Sequence, residues 1–451
     1  MKRILACLAI LGGGSFSAIA LTLQVPGEYP TIAAATAVGQ SGDTVLVSPG
    51  VYLEHDIVVH GSCALIGVGP SPGDVVIDAQ RLGRGLYVQS GGSGSTTLAM
   101  LTLRNGYTSS SSGGGGLLSQ AQHLIVRDLC IEGCEAQYNG GGANCSSIEF
   151  HDLILRDNLS QHNGGGLYGD WLLSGSYGQC SGLLAVGNEA AAGSAVYVAG
   201  AYWPDQAAMD RLTVVGNRST NGGGAVTIAP GDPEWYSWIS IDRSIFADNE
   251  GYALVHEGEW YDFYFDTSDP AIEWFGPFAS SSCFWENSPA DFGGDMSELI
   301  GSYGNIFADP RFCSPPLGLY TLREDSPCLP GGNLSRVTMG AIDAPCDPSG
   351  VDEGGGLPSR PGWIANVPNP FNPSTEIRFT LPTARPVSLR VYDIAGRCLR
   401  TLLDRAPLAA GAQAITWDGR DDQGHELPSG VYLYRLEASE LRATQKMTLL
   451  K

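Results

Sequence analysis

Residues 124–145 read LIVRDLCIEGCEAQYNGGGANC and residues 148–169 read IEFHDLILRDNLSQHNGGGLYG, two versions of one pattern set 24 residues apart. Each begins with an apolar run that alternates with polar residues, passes a short turn, and closes on a glycine cluster. Period-two alternation marks a strand that buries one face, and no 3.6-residue apolar period competes with it. The unit extends in both directions. Its glycine clusters are GGGGLL at 113–118, NGGGANC at 139–145, HNGGGLYG at 162–169, AAGSAVYV at 191–198 and NGGGAVTI at 221–228. Its turns, LRNG, LRDN, AVGN, VVGN and FADN, end on or near Asn105, Asn158, Asn188, Asn217 and Asn249, with Cys134 in the aligned place of the second copy.

Copies 24 to 32 residues apart, each with two or three short β-rich runs, fit one coil of a parallel β-solenoid. Inward side chains of successive coils then form a core that no coil could bury alone. The glycines serve sharp corners, and the asparagines are expected to stack in a ladder, each amide bonded to the coils above and below. The expected class is all-β.

Glycine makes up 61 of 451 residues, about twice its usual share, and proline another 27, without a collagen period. Net charge is −22 and unevenly spread. Residues 21–346 hold 35 Asp and Glu against 11 Arg and no Lys, a balance of −24, whereas residues 362–451 hold 9 acids against 11 bases. A domain at −24 repels phosphate backbones, which argues against nucleic-acid binding, and disfavours polyanionic sugars unless calcium bridges them. Any mechanism needing a lysine in the larger part is excluded.

Lys2 and Arg3, the apolar run Ile4–Leu11 and the small-residue end Ala18-Ile19-Ala20 have the three parts of a secretory signal, with cleavage expected after Ala20. That run is too short to span a bilayer, and no transmembrane segment is expected further on. Without Cys7, ten cysteines remain for an oxidising compartment; their spacing matches no zinc pattern, and they are read as disulfides or buried thiols. No metal and no cofactor are expected.

The opening VPGEYPTIAAATAVGQSGDTVLVSPGVYLEH, residues 25–55, resembles the cap and first coil of right-handed parallel β-helix proteins of the pectin-lyase-like superfamily. The glycine and asparagine repeats are similar to those of chlamydial polymorphic outer-membrane proteins. The run from Gly304 to Asp343, with GNIFADPRF, GLYTL, SPCLP and MGAID, resembles the terminal coils of secreted bacterial β-helix proteins. The resemblance implies a right-handed solenoid over residues 21–346 but no single activity, because such scaffolds host lyases, hydrolases, esterases and adhesins.

Residues 347–361 form a Gly-, Pro- and Ser-rich linker. Beyond it, 362–451 carries the short alternating runs TEIRFTLP, VSLRVYDI, AQAITWDG, GVYLYRLE and TQKMTLLK at β-sandwich spacing. Its stretches NVPNPFNPSTEIRFTLP, VYDIAGRCLRTLL and WDGRDDQGHELPSGVYLYRLEA resemble the C-terminal sorting domain of type IX secretion cargo and the related immunoglobulin-like domain of flagellar hook-capping proteins. The resemblance implies recognition by an outer-membrane export machinery, and hence a secreted or surface location in a two-membrane bacterium.

Catalysis has weaker signals. A glycoside hydrolase needs two carboxylates ~5 to 10 Å apart; Asp128, Asp152, Asp157, Asp242 and Asp248 are candidates, yet they recur from coil to coil as solvated outer positions do. His123, His151 and His162 are 28 and 11 residues apart and form no local triad or ligand motif. The most informative non-repeat feature is aromatic: Trp235, Tyr236 and Trp238 in one insertion and Trp260, Tyr261 and Tyr264 in another. Such rings beside carboxylates suit stacking on sugars, or else fill a small core of their own. The function expected is binding or adhesion to a neutral glycan; the alternative is a polysaccharide hydrolase or lyase.

Overall fold

The computed structural model describes residues 20–90, 94–169, 180–201, 207–230, 239–256, 279–293, 303–315, 319–342, 364–367, 371, 373–381, 385–393, 397–409, 411–438 and 441–449. It is a nearly all-β chain, a parallel β-solenoid followed by a small module of antiparallel sheets. Two compact units divide it, residues 1–310 with 327–342, and 311–326 with 343–451.

One coil contains a long strand such as Leu124–Glu132, a two-residue strand such as Glu135–Ala136, and a short strand after the glycines such as Ala143–Cys145. Each pairs in parallel with its own counterpart. Leu124 faces Thr96 and Ile148, and Val126 faces Leu98 and Phe150. The result is three parallel sheets, 15-, 9- and 5-stranded, around one core. Leu98, Val126, Phe150, Leu129 and Leu183 are buried in it, each side chain resting on a counterpart in the next coil. At about 1.5–3 kcal/mol per buried Leu, Val or Phe, this repetition supplies the main driving force.

The long strand bends where pairing skips a residue: Arg127 pairs with His151 and Leu129 with Leu153, leaving Asp128 and Asp152 between them. Their φ values are 47° and 56°, and the column continues through Gly182 at 71°. A second left-handed column holds Asn105, Gly133, Asp157, Gly187, Gly216 and Asp248, with φ between 53° and 64°. Asp, Asn and Gly tolerate that region best, so the recurring aspartates have a conformational reason to be there.

Directly after the second column runs the amide stack. The Oδ1 of Asn188 accepts from the N–H of Asn158 at 3.1 Å and from its Nδ2 at 2.9 Å. Asn217 does the same for Asn188, Asn249 for Asn217, and Asn287 for Asn249. Each Nδ2 also reaches a main-chain oxygen, as Asn188 does at Leu155.

Asn105 stands elsewhere. It occupies the left-handed corner and donates its Nδ2 to Asp78 at 2.9 Å, while Gly106 takes the ladder place. Gly106 N–H donates to Cys134 Sγ at 3.3 Å and Cys134 N–H to Asn158 Oδ1 at 3.0 Å, so the ladder starts from a thiol. The turn LRNG is thus shifted by one residue against LRDN, and the stack gains Asn287 at its other end.

Both readings of the cysteines occur. Cys313 is disulfide-bonded, whereas Cys134 and Cys180 are buried thiols that desolvation pushes up to about 12.

At the far end of the solenoid, residues 327–342 return to the flank of the coils. Gly340 N–H donates to Arg243 O at 2.7 Å and Ala341 N–H to Thr213 Oγ1 at 2.8 Å.

In the second unit, Thr375–Leu381 pairs with Ile364–Val367 and Gly411–Trp417. Arg385–Tyr392 lies between Cys398–Leu408 and Gly430–Ala438, and Leu441–Leu449 completes that sheet. Phe371, Phe379, Val391, Trp417, Tyr434, Leu436 and Met447 form a core of its own.

Candidate functional site

Coil length varies mainly at one corner, between the strand after the glycines and the next long strand. Two residues make that connection after Cys145, ten after Gly169, five after Ala201, eight after Pro230 and 22 after His256. The glycine side varies less: six residues separate Ala136 from Ala143 and Ser160 from Leu167, five separate Ala190 from Val196, four separate Ser219 from Gly224 and eight separate Thr108 from Leu117. Glycine packing limits the variation. A Cβ at Gly142 would stand 2.5 Å from Gly166 O, and one at Gly166 would stand 2.6 Å from Ala195 O. Trp235, Tyr236, Trp238, Trp260, Tyr261 and Tyr264 all belong to the eight- and 22-residue connections and lie outside the described residues.

A polar chain occupies the described edge of this corner. Ser95, His123 and Ser147 are the last residues before the paired Thr96, Leu124 and Ile148. Ser95 Oγ lies 3.0 Å from His123 Nδ1, and His123 Nε2 lies 3.1 Å from Glu149 Oε2. On its other side Glu149 Oε1 is 2.9 Å from His151 Nε2, whose Nδ1 is 3.2 Å from Ser181 Oγ. Glu149 is only 5% exposed although its strand position points outward. When Glu149 is ionised it accepts from both Nε2 atoms, which leaves each Nδ1 to accept from a serine hydroxyl. Two Ser–His–carboxylate chains therefore share one carboxylate. The order is that of hydroxyl, base and orienting acid, and it can hold both imidazoles in fixed tautomers and take a proton from either hydroxyl. Sequence spacing hid it. His123 and His151 are 28 residues apart, but the coil register sets His123 opposite Ser147, so outward alternation brings 123, 149 and 151 together.

The candidate carboxylates sit differently. Asp128, Asp152, Asp157 and Asp248 are exposed at left-handed corners, and Asp242 is half-buried. Partial desolvation by the surrounding backbone and the neighbouring Asp152 raise Asp128 above the usual carboxylate range, with Arg127 opposing them. Asp248 is raised by desolvation, Glu286 and Asp309. Among the described residues no group of three His, Cys, Asp or Glu is arranged to hold a metal ion.

Exposed rings occur on the glycine side. Tyr138 and His162 stack with centroids 5.4 Å apart and planes 6° from parallel. Gln137, beside them, donates its Nε2 to Tyr107 at 3.0 Å. The next coil is one residue shorter here, since Glu189 pairs with Leu159 and Ala192 already with Asn163. Ala191 N–H of that coil donates to His162 O at 2.6 Å. The stacked Tyr168 and Tyr197 on the nine-stranded sheet are more covered, Tyr197 being 7% exposed.

Comparison with known proteins adds little to the solenoid. No curated protein matches the chain. Among solved structures it is similar to dimeric latent PorU from Porphyromonas gingivalis, at 22% identity over 19% of this chain and 9% of that one, with a TM-score of 0.17. It is also similar to PorZ, a surface component of the type-IX secretion system of the same organism, at 17% identity over 20% of this chain and 11% of that one, with a TM-score of 0.16. The chain thus spans about a tenth of the length of each. Residues 370–441, inside the antiparallel module, match the FlgD Ig-like domain family.

Proposed function

We propose that the chain is an exported, surface-displayed β-solenoid that binds a neutral glycan. In this reading residues 1–20 are the signal peptide, 21–346 the binding unit, 347–361 a flexible linker, and 362–451 the export address read by an outer-membrane secretion machinery. One observation carries it: the connections lengthen most at a single corner, and the two that hold Trp235, Tyr236, Trp238, Trp260, Tyr261 and Tyr264 leave from there. In repeat proteins, insertions gathered on one face are commonly the binding face. A ring face beside hydroxyl and carboxylate groups suits the apolar face and hydroxyls of a sugar. The balance of −24 favours a neutral ligand over a polyanion. A glycan array run on the full chain and on W235A and W260A tests this: binding that survives both substitutions, with the melting curve intact, counts against it.

A second reading, a polysaccharide hydrolase, draws support from Asp128 and Asp152. Successive coils set their backbones about 4.8 Å apart, and the upward shift of Asp128 beside a second carboxylate is what a general acid requires. A reducing-sugar assay run beside the array separates the two, because a binder releases no product.

A further inference from the structure

Cys283 opens the strand Cys283–Trp285, its N–H donating to Ser244 O at 2.7 Å. Cys328 lies at the start of the returning segment and accepts from Met339 N–H at 2.9 Å. Gly340, the next residue, donates to Arg243, the neighbour of Ser244. These bonds fix both cysteines to one stretch of backbone. Both side chains are fully buried; Cys283 Sγ donates to Ala308 O at 3.1 Å and lies within interaction distance of the Cys328 thiol. Thiols in mutual contact, each held by its own backbone, need little movement to reach the bonding distance of two sulfurs. Cys313 is already disulfide-bonded, so the folded chain belongs to an oxidising compartment whether or not it binds a glycan.

We infer that Cys283 and Cys328 are joined by a disulfide in the mature protein, locking residues 327–342 onto the last coils. The two thiols lose two protons and two electrons as the S–S bond forms, and the acceptor is a small-molecule or protein disulfide reduced to two thiols. The bond gives the solenoid a fastened end. A stack of parallel coils otherwise exposes unpaired strand edges at its terminus, which solenoids must cover.

Timing follows from burial. Both side chains are fully buried, which keeps them out of an oxidant's reach in the folded chain, and the hydrogen bond to Cys328, then desolvation, push the Cys283 thiol far up. The bond therefore forms while the segment docks. Chain reduced and refolded without oxidant should afterwards resist oxidation.

Non-reducing peptide mapping of the full-length protein isolated from an oxidising compartment tests the inference. A cross-linked peptide containing both residues is expected, with neither cysteine alkylated in the unfolded, unreduced chain. Alkylation of both would overturn it. C283A, C328A and the double variant should lose the same several degrees of melting temperature, because each breaks the same bond. Losses that add in the double variant would mean packing alone and would also overturn it.

Discussion

The solenoid and the C-terminal module are built from similar strands and hold together differently. In the solenoid a core residue rests on its own counterpart one coil away, as Val126 does between Leu98 and Phe150. In the module, Trp417 meets Phe371 and Tyr432, residues of different kinds brought from distant strands. One arrangement is a sum of neighbouring interfaces; the other closes all at once. A local defect should accordingly weaken a solenoid by degrees and abolish a sandwich outright.

The largest expected effect is in the module. Trp417 is fully buried, and Trp417→Ala should cost about 3–5 kcal/mol. Calorimetry should then show the module's transition gone and the solenoid's unchanged; a shift in both would break the comparison. Next comes Asn188→Ala, which leaves the Asn158 amide groups, Leu155 O and Asn217 Oδ1 each short of a partner. A loss of about 1–3 kcal/mol is expected, with hydrogen exchange rising most in the adjoining coils. Asn105→Gly, which tolerates the left-handed φ of 56°, should cost less, about 0.5–1.5 kcal/mol, because it removes one half-buried bond to Asp78. Equal losses at Asn105 and Asn188 would contradict the one-residue shift.

The smallest effects are electrostatic. Against the upward push of burial, hydrogen bonds from Asn105 and Gln80 N–H together with Arg104 hold Asp78 below its ordinary value. Its contribution is therefore present above the unfolded pKa, about 3.9, and lost as pH falls through the lower folded value. Asp128 is raised, so its ionised form is the disfavoured one and acidification relieves it. Asp128→Asn should stabilise slightly at neutral pH and lose that advantage near pH 3. Melting curves over this range, with Asp78→Asn as the opposite case, would detect a wrong sign.

The repeat was legible because stacking demands that residues with the same surroundings recur at nearly the same spacing. Glycine clusters and Asn158 through Asn249 met that demand in the sequence. Asn105 misled because its turn differs by one residue, and a pattern that counts asparagines does not see which side of the left-handed corner they occupy. The Ser95–His123–Glu149–His151–Ser181 chain was illegible for a related reason: its members lie on four coils, and only the register shows that a separation of 28 residues means adjacency when the coil is 24. The corner aspartates read as solvated positions in the sequence; their left-handed φ adds a backbone cause.

The glycine side and the loop side of each coil also differ in what heredity can do with them. Where Gly142 meets the backbone of Gly166, even a methyl group has no room, so that margin is closed to change. Across the coil, a connection of two residues in one turn and 22 in another leaves strand pairing in step. Descendants of this molecule can rewrite what it touches while copying unaltered what holds it up, and variation should gather along a single seam.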